Sequence, residues 1–178
     1  MEHDELSMHA HRARTREQMQ TWTHLGAVLV DRHLQVLASN ALARALSPGF
    51  QEGMNLARYT FLSTEVPRDR DCWDAAAAQV AGMLRESIDQ HAVDQSFVGI
   101  VGELAATSQE FSDAWAEESI PSKLAGELSF LDTAIGTVSL GYTVTRAPER
   151  FDDLLIICRP LTEAARADVD RLVRATTT

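Results

Sequence analysis

Hydrophobic and polar positions along this chain fall into blocks whose period changes from two to about 3.6 and back to two. Residues 25–30 form an apolar run that predicts a buried strand. Asp31-Arg32-His33 predicts a turn, and residues 34–38 predict a second strand, so the two make a hairpin with a short polar loop. Asn40 predicts a helix start over residues 41–46, because its side-chain oxygen can accept from the free N–H groups of the first turn. Pro48-Gly49 predicts where that helix stops. Asn55 has the same start role for residues 56–62.

Helical spacing then takes over. Trp73, Ala77, Val80, Leu84 and Ile88 share one face of a helix over residues 71–88. Phe97, Ile100, Val101 and Leu104 define a second amphipathic helix. Ser108 predicts the cap of a third, with Phe111 and Trp115 one turn apart on the same side. Pro121 ends the helical block, and the period returns to two. Leu124, Gly126, Leu128 and Phe130 alternate with polar or small residues, and so do Val138, Leu140, Tyr142 and Val144. Both stretches read as strands of an antiparallel pair, each with one buried face, joined by a turn over residues 132–136. A loop at 147–150 precedes a continuously apolar strand at 154–158. Thr162 predicts the cap of a last helix carrying Ala165, Val169, Leu172 and Val173 inward.

The order is strand-strand, helices, three strands, helix. It predicts an α+β domain: one five-stranded antiparallel sheet covered by a helical insertion, with a pocket between sheet and helices. Residues 1–22 read as an N-terminal arm or linker helix, since Leu6, Met8 and Met19 make only a weak apolar stripe. Residues 23–178 form the domain, ending in the C-terminal helix.

Composition adjusts this picture modestly. The chain has 178 residues, enough for one domain with a real core. Its formal net charge of −10 speaks against direct nucleic-acid binding by this chain, because phosphate contact needs clustered Lys and Arg. The N-terminal 20 residues lack the apolar core of a signal peptide, and no apolar run approaches membrane-spanning length, so a soluble cytoplasmic protein is expected. The two cysteines are far apart; Cys158 sits in an apolar run and reads as a small buried hydrophobe. No disulfide framework is indicated, although a single bridge stays open.

No nucleophile elbow, phosphate loop, dinucleotide fingerprint or His-Glu-x-x-His metal motif is present, and the carboxylates are scattered. We therefore expect no enzyme, no cofactor and no metal. His3, His9 and His11 sit close together but lack a matching Cys or acidic set. His24, His33 and His91 read as turn or surface residues, and Asp69-Arg70-Asp71 as a solvated helix start.

Two helical segments place amide and guanidinium groups among apolar residues: Ser39-Asn40-Ala41-Leu42-Ala43-Arg44-Ala45-Leu46 and Asn55-Leu56-Ala57-Arg58-Tyr59-Thr60-Phe61-Leu62. With Val30-Asp31-Arg32, Trp73, Leu84-Arg85, Val101-Gly102-Glu103-Leu104, Ser108-Gln109-Glu110-Phe111, Trp115 and Gly136-Thr137-Val138-Ser139-Leu140-Gly141-Tyr142, they resemble the MmyB-like ligand-binding domain of bacterial transcription regulators. The resemblance covers about residues 25–175. It implies a PAS-like sheet and a small organic effector, with fatty-acid-like or other lipophilic molecules the leading class. Two positions depart from that family's pattern. Glu118 stands where it commonly has a histidine, and Leu131-Asp132-Thr133 stands where it commonly has an aromatic-His-Pro sequence.

The family usually carries a helix-turn-helix before this domain, and residues 1–22 are too short for one. The expectation is a DNA-binding partner, or a helix-turn-helix segment missing from this chain. Asn40, Asn55, Arg58, Tyr59, Trp115 and Tyr142 are the candidate ligand contacts. Arg58 could hold a ligand carboxylate through its guanidinium fork, or else form a structural ion pair. The two asparagines could be helix caps instead, and Trp115 and Tyr142 core packing. The alternative function is a ligand-free PAS-like interaction module, with homodimerisation through the arm.

Overall fold

The computed structural model describes residues 2–66, 70–90, 94–117, 121–146 and 152–177. The expected loop at 147–150, together with His91, Asp69, Glu118 and the side chains of His3 and Arg70, lies outside the described residues.

The chain is α+β, with five strands in one antiparallel sheet of order β2-β1-β5-β4-β3. The strands are β1 (Gly26–Val30), β2 (Val36–Ser39), β3 (Ala125–Thr133), β4 (Gly136–Arg146) and β5 (Leu154–Arg159). The helices are α1 (Glu2–Gln20), α2 (Ala41–Leu46), α3 (Leu56–Leu62), α4 (Arg70–Gln90), α5 (Gln95–Thr107), α6 (Gln109–Ala116) and α7 (Glu163–Thr177). Helices α2 to α6 form the excursion between β2 and β3, so the first hairpin and the last three strands are joined in space through the β1–β5 pairing.

The caps read from the sequence do the work expected of them. Asn40 accepts from Ala43 N at 3.0 Å to start α2, and Asn55 accepts from Ala57 N and Arg58 N, both at 3.1 Å, to start α3. Ser108 accepts from Phe111 N at 3.1 Å, and Thr162 from Ala165 N at 3.1 Å. Each satisfies a first-turn N–H group that the helix itself leaves unpaired. Pro48-Gly49 ends α2 by opening a 3-10 turn, Pro48–Phe50.

Two details differ from the sequence pattern. The β1–β2 turn takes Leu34 into the left-handed region (φ 63°) and fully buries it, so β2 starts two residues later than the apolar run suggested. The β3–β4 turn is tighter than residues 132–136. β3 continues through an irregularity to Thr133, whose partner is Gly136 at φ 93°. Glycine serves there because L side chains rarely adopt that backbone.

The sheet buries both faces unevenly. Its inner face, with Val28, Val30, Val138, Leu140, Tyr142, Val144, Ile156 and Cys158, packs under the helices in one large core. Phe111 and Leu84 there are fully buried. The outer face carries a second, small core of Met19, Ala27, Leu29 and Ala38, joined by Trp22, Leu37 and Leu155. Met19 belongs to α1, so the helix expected as an arm docks its last turn on the sheet. Full burial of that side chain contributes roughly 1.5–3 kcal/mol. Polar contacts fix the rest of α1. Arg12 donates through Nε and Nη2 to both carboxylate oxygens of Asp153 at 2.7 and 2.8 Å, and Arg16 donates to Leu37 O at 2.7 Å. Among the described residues no helix is long and apolar enough to cross a membrane.

Candidate functional site

Between the inner face of the sheet and helices α2, α3 and α4 lies a cavity of about 220 Å³. An engineered apolar cavity of about 150 Å³ is enough to bind benzene, so this hollow has room for a small organic molecule. Its floor is strand-borne. Gly26, Cys158, Tyr142 and Gly126 follow one another in register across β1, β5, β4 and β3, and the middle two line the cavity. Leu128, Phe130, Val144 and Ile156 continue the floor. Leu46, Phe50, Leu56 and Tyr59 form one wall; Trp73, Ala76, Val80 and Met83 of α4 form the other. Glu65 and Asp132, both exposed, stand at the mouth.

Glycine makes the two tyrosine positions possible. A Cβ at Gly126 would lie 2.8 Å from Tyr142 Cε1 and 2.9 Å from its hydroxyl. A Cβ at Gly49 would overlap the Tyr59 ring. Each phenol therefore rests on bare backbone, a close approach that only glycine permits.

The polar side chains around the cavity divide into two groups. Several already have partners. Gln79 donates to Lys123 O at 2.9 Å and accepts from Lys123 N at 2.7 Å, clamping the segment that enters β3 onto α4. Ser47 accepts from Gly49 N at 3.2 Å, and Ser129 pairs with Ser139 at 2.7 Å on the edge hairpin. The hydroxyls of Tyr59, Thr60 and Tyr142 have no hydrogen-bond partner among the described residues, and all three residues line the cavity. Tyr142 is 5% exposed. Burial pushes its phenol up from its ordinary pKa, which keeps it protonated and a donor. Burial likewise pushes the Cys158 thiol up to about 12. Cys72, half-buried on the same cavity, and Cys158 are both free thiols.

Of the six candidate contacts, the structure brings Tyr59 and Tyr142 to the cavity. It places the other four elsewhere. Asn40 is 1% exposed, and its carboxamide is consumed by backbone. The oxygen accepts from Ala27 N and Ala43 N, while the nitrogen donates to Met19 O, Trp22 O and Leu25 O. It knots α1, β1 and α2 together. Asn55 donates to His33 O at 2.7 Å besides capping α3. Arg58 points out of the fold and pairs with Glu103 at 2.7 Å, both side chains more than 40% exposed (44% and 42%). Asn55 and Arg58 border only an open depression, which Tyr59 also touches from its position on the cavity wall. Trp115 stacks on Phe111 at 5.2 Å and receives the Arg85 guanidinium 5.2 Å from its ring. Arg85 also donates to Ala114 O and Trp115 O, holding the C-terminal end of α6.

The sequence carried signals for what these candidates missed. Gly126 occupies an inward position in a strand pattern, the mark of a close approach. The buried set on α3 is Leu56, Ala57, Thr60 and Phe61, which puts residue 58 on the opposite side. Thr60 is the polar residue that faces in.

Among the described residues that line the cavity, no hydroxyl is hydrogen-bonded to a carboxylate or histidine, and burial holds the Cys158 thiol protonated. Among the described residues no cluster of three or more metal-ligating side chains occurs. Comparison with curated proteins gives no match. The family described as MmyB-like transcription regulator ligand binding domain matches residues 11–172, from the middle of α1 into α7.

Proposed function

The chain belongs to the MmyB-like transcription regulator ligand binding domains, and on that premise we propose that it senses a lipophilic effector in the cavity between sheet and helices. The observation that carries this reading is the hollow itself: apolar walls, with three hydroxyls that lack a hydrogen-bond partner among the described residues. Apolar surface would supply most of the affinity, and the hydroxyls would set orientation. The PAS-like sheet is the rigid half of the site and helices α2 to α4 the adjustable half. An effector that binds one arrangement of those helices better than another shifts the population toward it by its difference in affinity. The shift would reach a DNA-reading unit, on the same polypeptide or on a partner, through residues 1–22. By linkage, DNA binding must then change effector affinity by the same factor.

Support for α1 as the outlet comes from its seat on the sheet, with Met19 buried and Arg12 paired to Asp153. In this reading the chain does no catalysis and works in the cytoplasm. The test is native mass spectrometry of protein purified from its host, followed by denaturing extraction. A retained lipophilic molecule of defined mass, lost when Tyr142 is replaced by Trp to fill the cavity, supports the reading. Protein that carries nothing and also fails to take up a neutral apolar dye favours an interaction module instead.

A further inference from the structure

Helix α2 touches the cavity with one end and α1 with the other. Building on the ligand-binding reading, we propose that the junction of Ser39 and Asn40 is a hinge through which an occupant of the cavity loosens the last turn of α1. The far end of α2 and the turn after it supply Leu46, Ser47, Pro48 and Phe50 to the cavity wall. The near end starts at Asn40, whose carboxamide nitrogen donates to Met19 O at 3.2 Å, Trp22 O at 3.1 Å and Leu25 O at 2.7 Å. Ser39 O is a second meeting point: Gln20 of α1 donates to it at 3.0 Å, and so does Arg44 of α2. The six residues of α2 span about 9 Å, so the two ends move as one rod. Beneath α2 lies Gly26, where a Cβ would stand 3.0 Å from Leu46 Cδ1 and 3.6 Å from Ala43 Cα. Bare backbone there leaves no side chain against which the helix is keyed, so α2 can roll.

The junction is under-satisfied in two ways. The Ser39 hydroxyl is fully buried and has no hydrogen-bond partner among the described residues. That raises the energy of this arrangement relative to one in which the hydroxyl finds a partner. The Asn40 amide, in turn, has two protons for three carbonyls. Leu25 O, the nearest, takes one, and Met19 O and Trp22 O divide the other. The carboxamide oxygen is pinned by Ala27 N and Ala43 N, and Asn40 N donates to Ala27 O at 3.0 Å. Asn40 is therefore a pivot: rolling α2 turns the amide nitrogen about a fixed oxygen. The two shared bonds stand at the long end of the hydrogen-bond range, so a displacement of about half an ångström breaks them. Met19 and Trp22 both pack on the outer-face core, so losing those bonds loosens the end of α1. By linkage, α1 held down weakens the occupant's binding by the same factor.

The test uses the full chain, the neutral dye N-phenyl-naphthylamine as the occupant, and hydrogen exchange read by mass spectrometry at the amides of residues 17–22. Saturating dye is expected to speed their exchange about three-fold or more. Asn40→Ser keeps a cap for α2 but cannot reach the three carbonyls, so exchange should be fast with or without dye. Ser39→Ala removes the orphan hydroxyl and leaves the fold intact. It should slow the exchange about three-fold in dye-free protein and weaken dye binding by a similar factor. Dye that binds without changing exchange at the end of α1 overturns the inference alone. So does a dye response that persists in Asn40→Ser, or a Ser39→Ala chain that behaves as wild type. Failure of the wild-type chain to bind the dye overturns the ligand-binding reading and this inference with it.

Discussion

The Tyr142 phenol lies across Gly126, its partner in the β3–β4 ladder, with the hydroxyl 2.9 Å from where a Cβ would stand. The tip of a tyrosine can swing, and the open direction is the cavity. Gly126→Ala is therefore expected to drive the ring into the hollow rather than to break the sheet. Dye affinity should fall about ten-fold while the melting temperature drops by only a few degrees, the equivalent of about 1 kcal/mol in a domain of this size. Fluorescence titration and a thermal melt on the same sample check it; unchanged affinity would show that the ring does not rest there.

Arg58→Ala is expected to leave dye binding unchanged. Its partner Glu103 is exposed, and exposed ion pairs contribute about 0.2–1 kcal/mol. Urea denaturation should show a loss no larger than that, and one that shrinks in high salt. A large loss of binding would place the guanidinium in the ligand's path and contradict the geometry.

Asp94 ties the β1–β2 turn to the helical cover. It caps α5 through Ser96 N at 2.9 Å, and its other oxygen lies 2.8 Å from His33 Nε2 and 2.8 Å from Arg32 Nη2. The Ser96 N–H first, then His33, holds its carboxyl below the ordinary value. A depressed pKa means that this contribution is complete above the unfolded-state value, about 3.9, and is lost as pH falls through the lower folded-state value. Asp94→Asn keeps an acceptor for Ser96 but removes the titration. The gap in urea midpoint between wild type and variant should be constant near neutrality and close below about pH 4. A gap that widens on acidification would reverse the sign.

The two thiols should separate cleanly. With burial pushing it up to about 12, Cys158 has almost no thiolate at neutral pH, and it is also 1% exposed. Cys72 is half-buried on the same cavity. A thiol reagent should titrate one cysteine in the native protein and the second only in denaturant. A bound apolar competitor should slow the first. Equal rates for both would mean that the floor of the cavity opens to solvent.

Local chemistry was legible where one residue decides an outcome. Asn40 and Asn55 fixed the starts of α2 and α3 to the residue, and the alternation at Val138, Leu140, Tyr142 and Val144 fixed which face of β4 is buried. The docking of α1 was not legible. It depends on one methionine and on an ion pair whose members, Arg12 and Asp153, are 141 residues apart, so no window of sequence contains the signal. The site fell between these cases. Parity placed Tyr142 inward correctly, but the polar character of Asn40 and Arg58 suggested a pocket when backbone and Glu103 already satisfied them. A buried amide in a sequence does not reveal whether its partner is a ligand or a carbonyl.

β5 presents alternate residues to two different places. Ile156 and Cys158 border the hollow, while Leu155, the residue before Ile156, packs on the patch where Met19 sits, and Asp153, two residues further back, grips Arg12. The hollow and α1 thus share a partition one polypeptide thick. A tilt of that single ribbon would displace the linings of both sides together, with no chain of intermediaries in between.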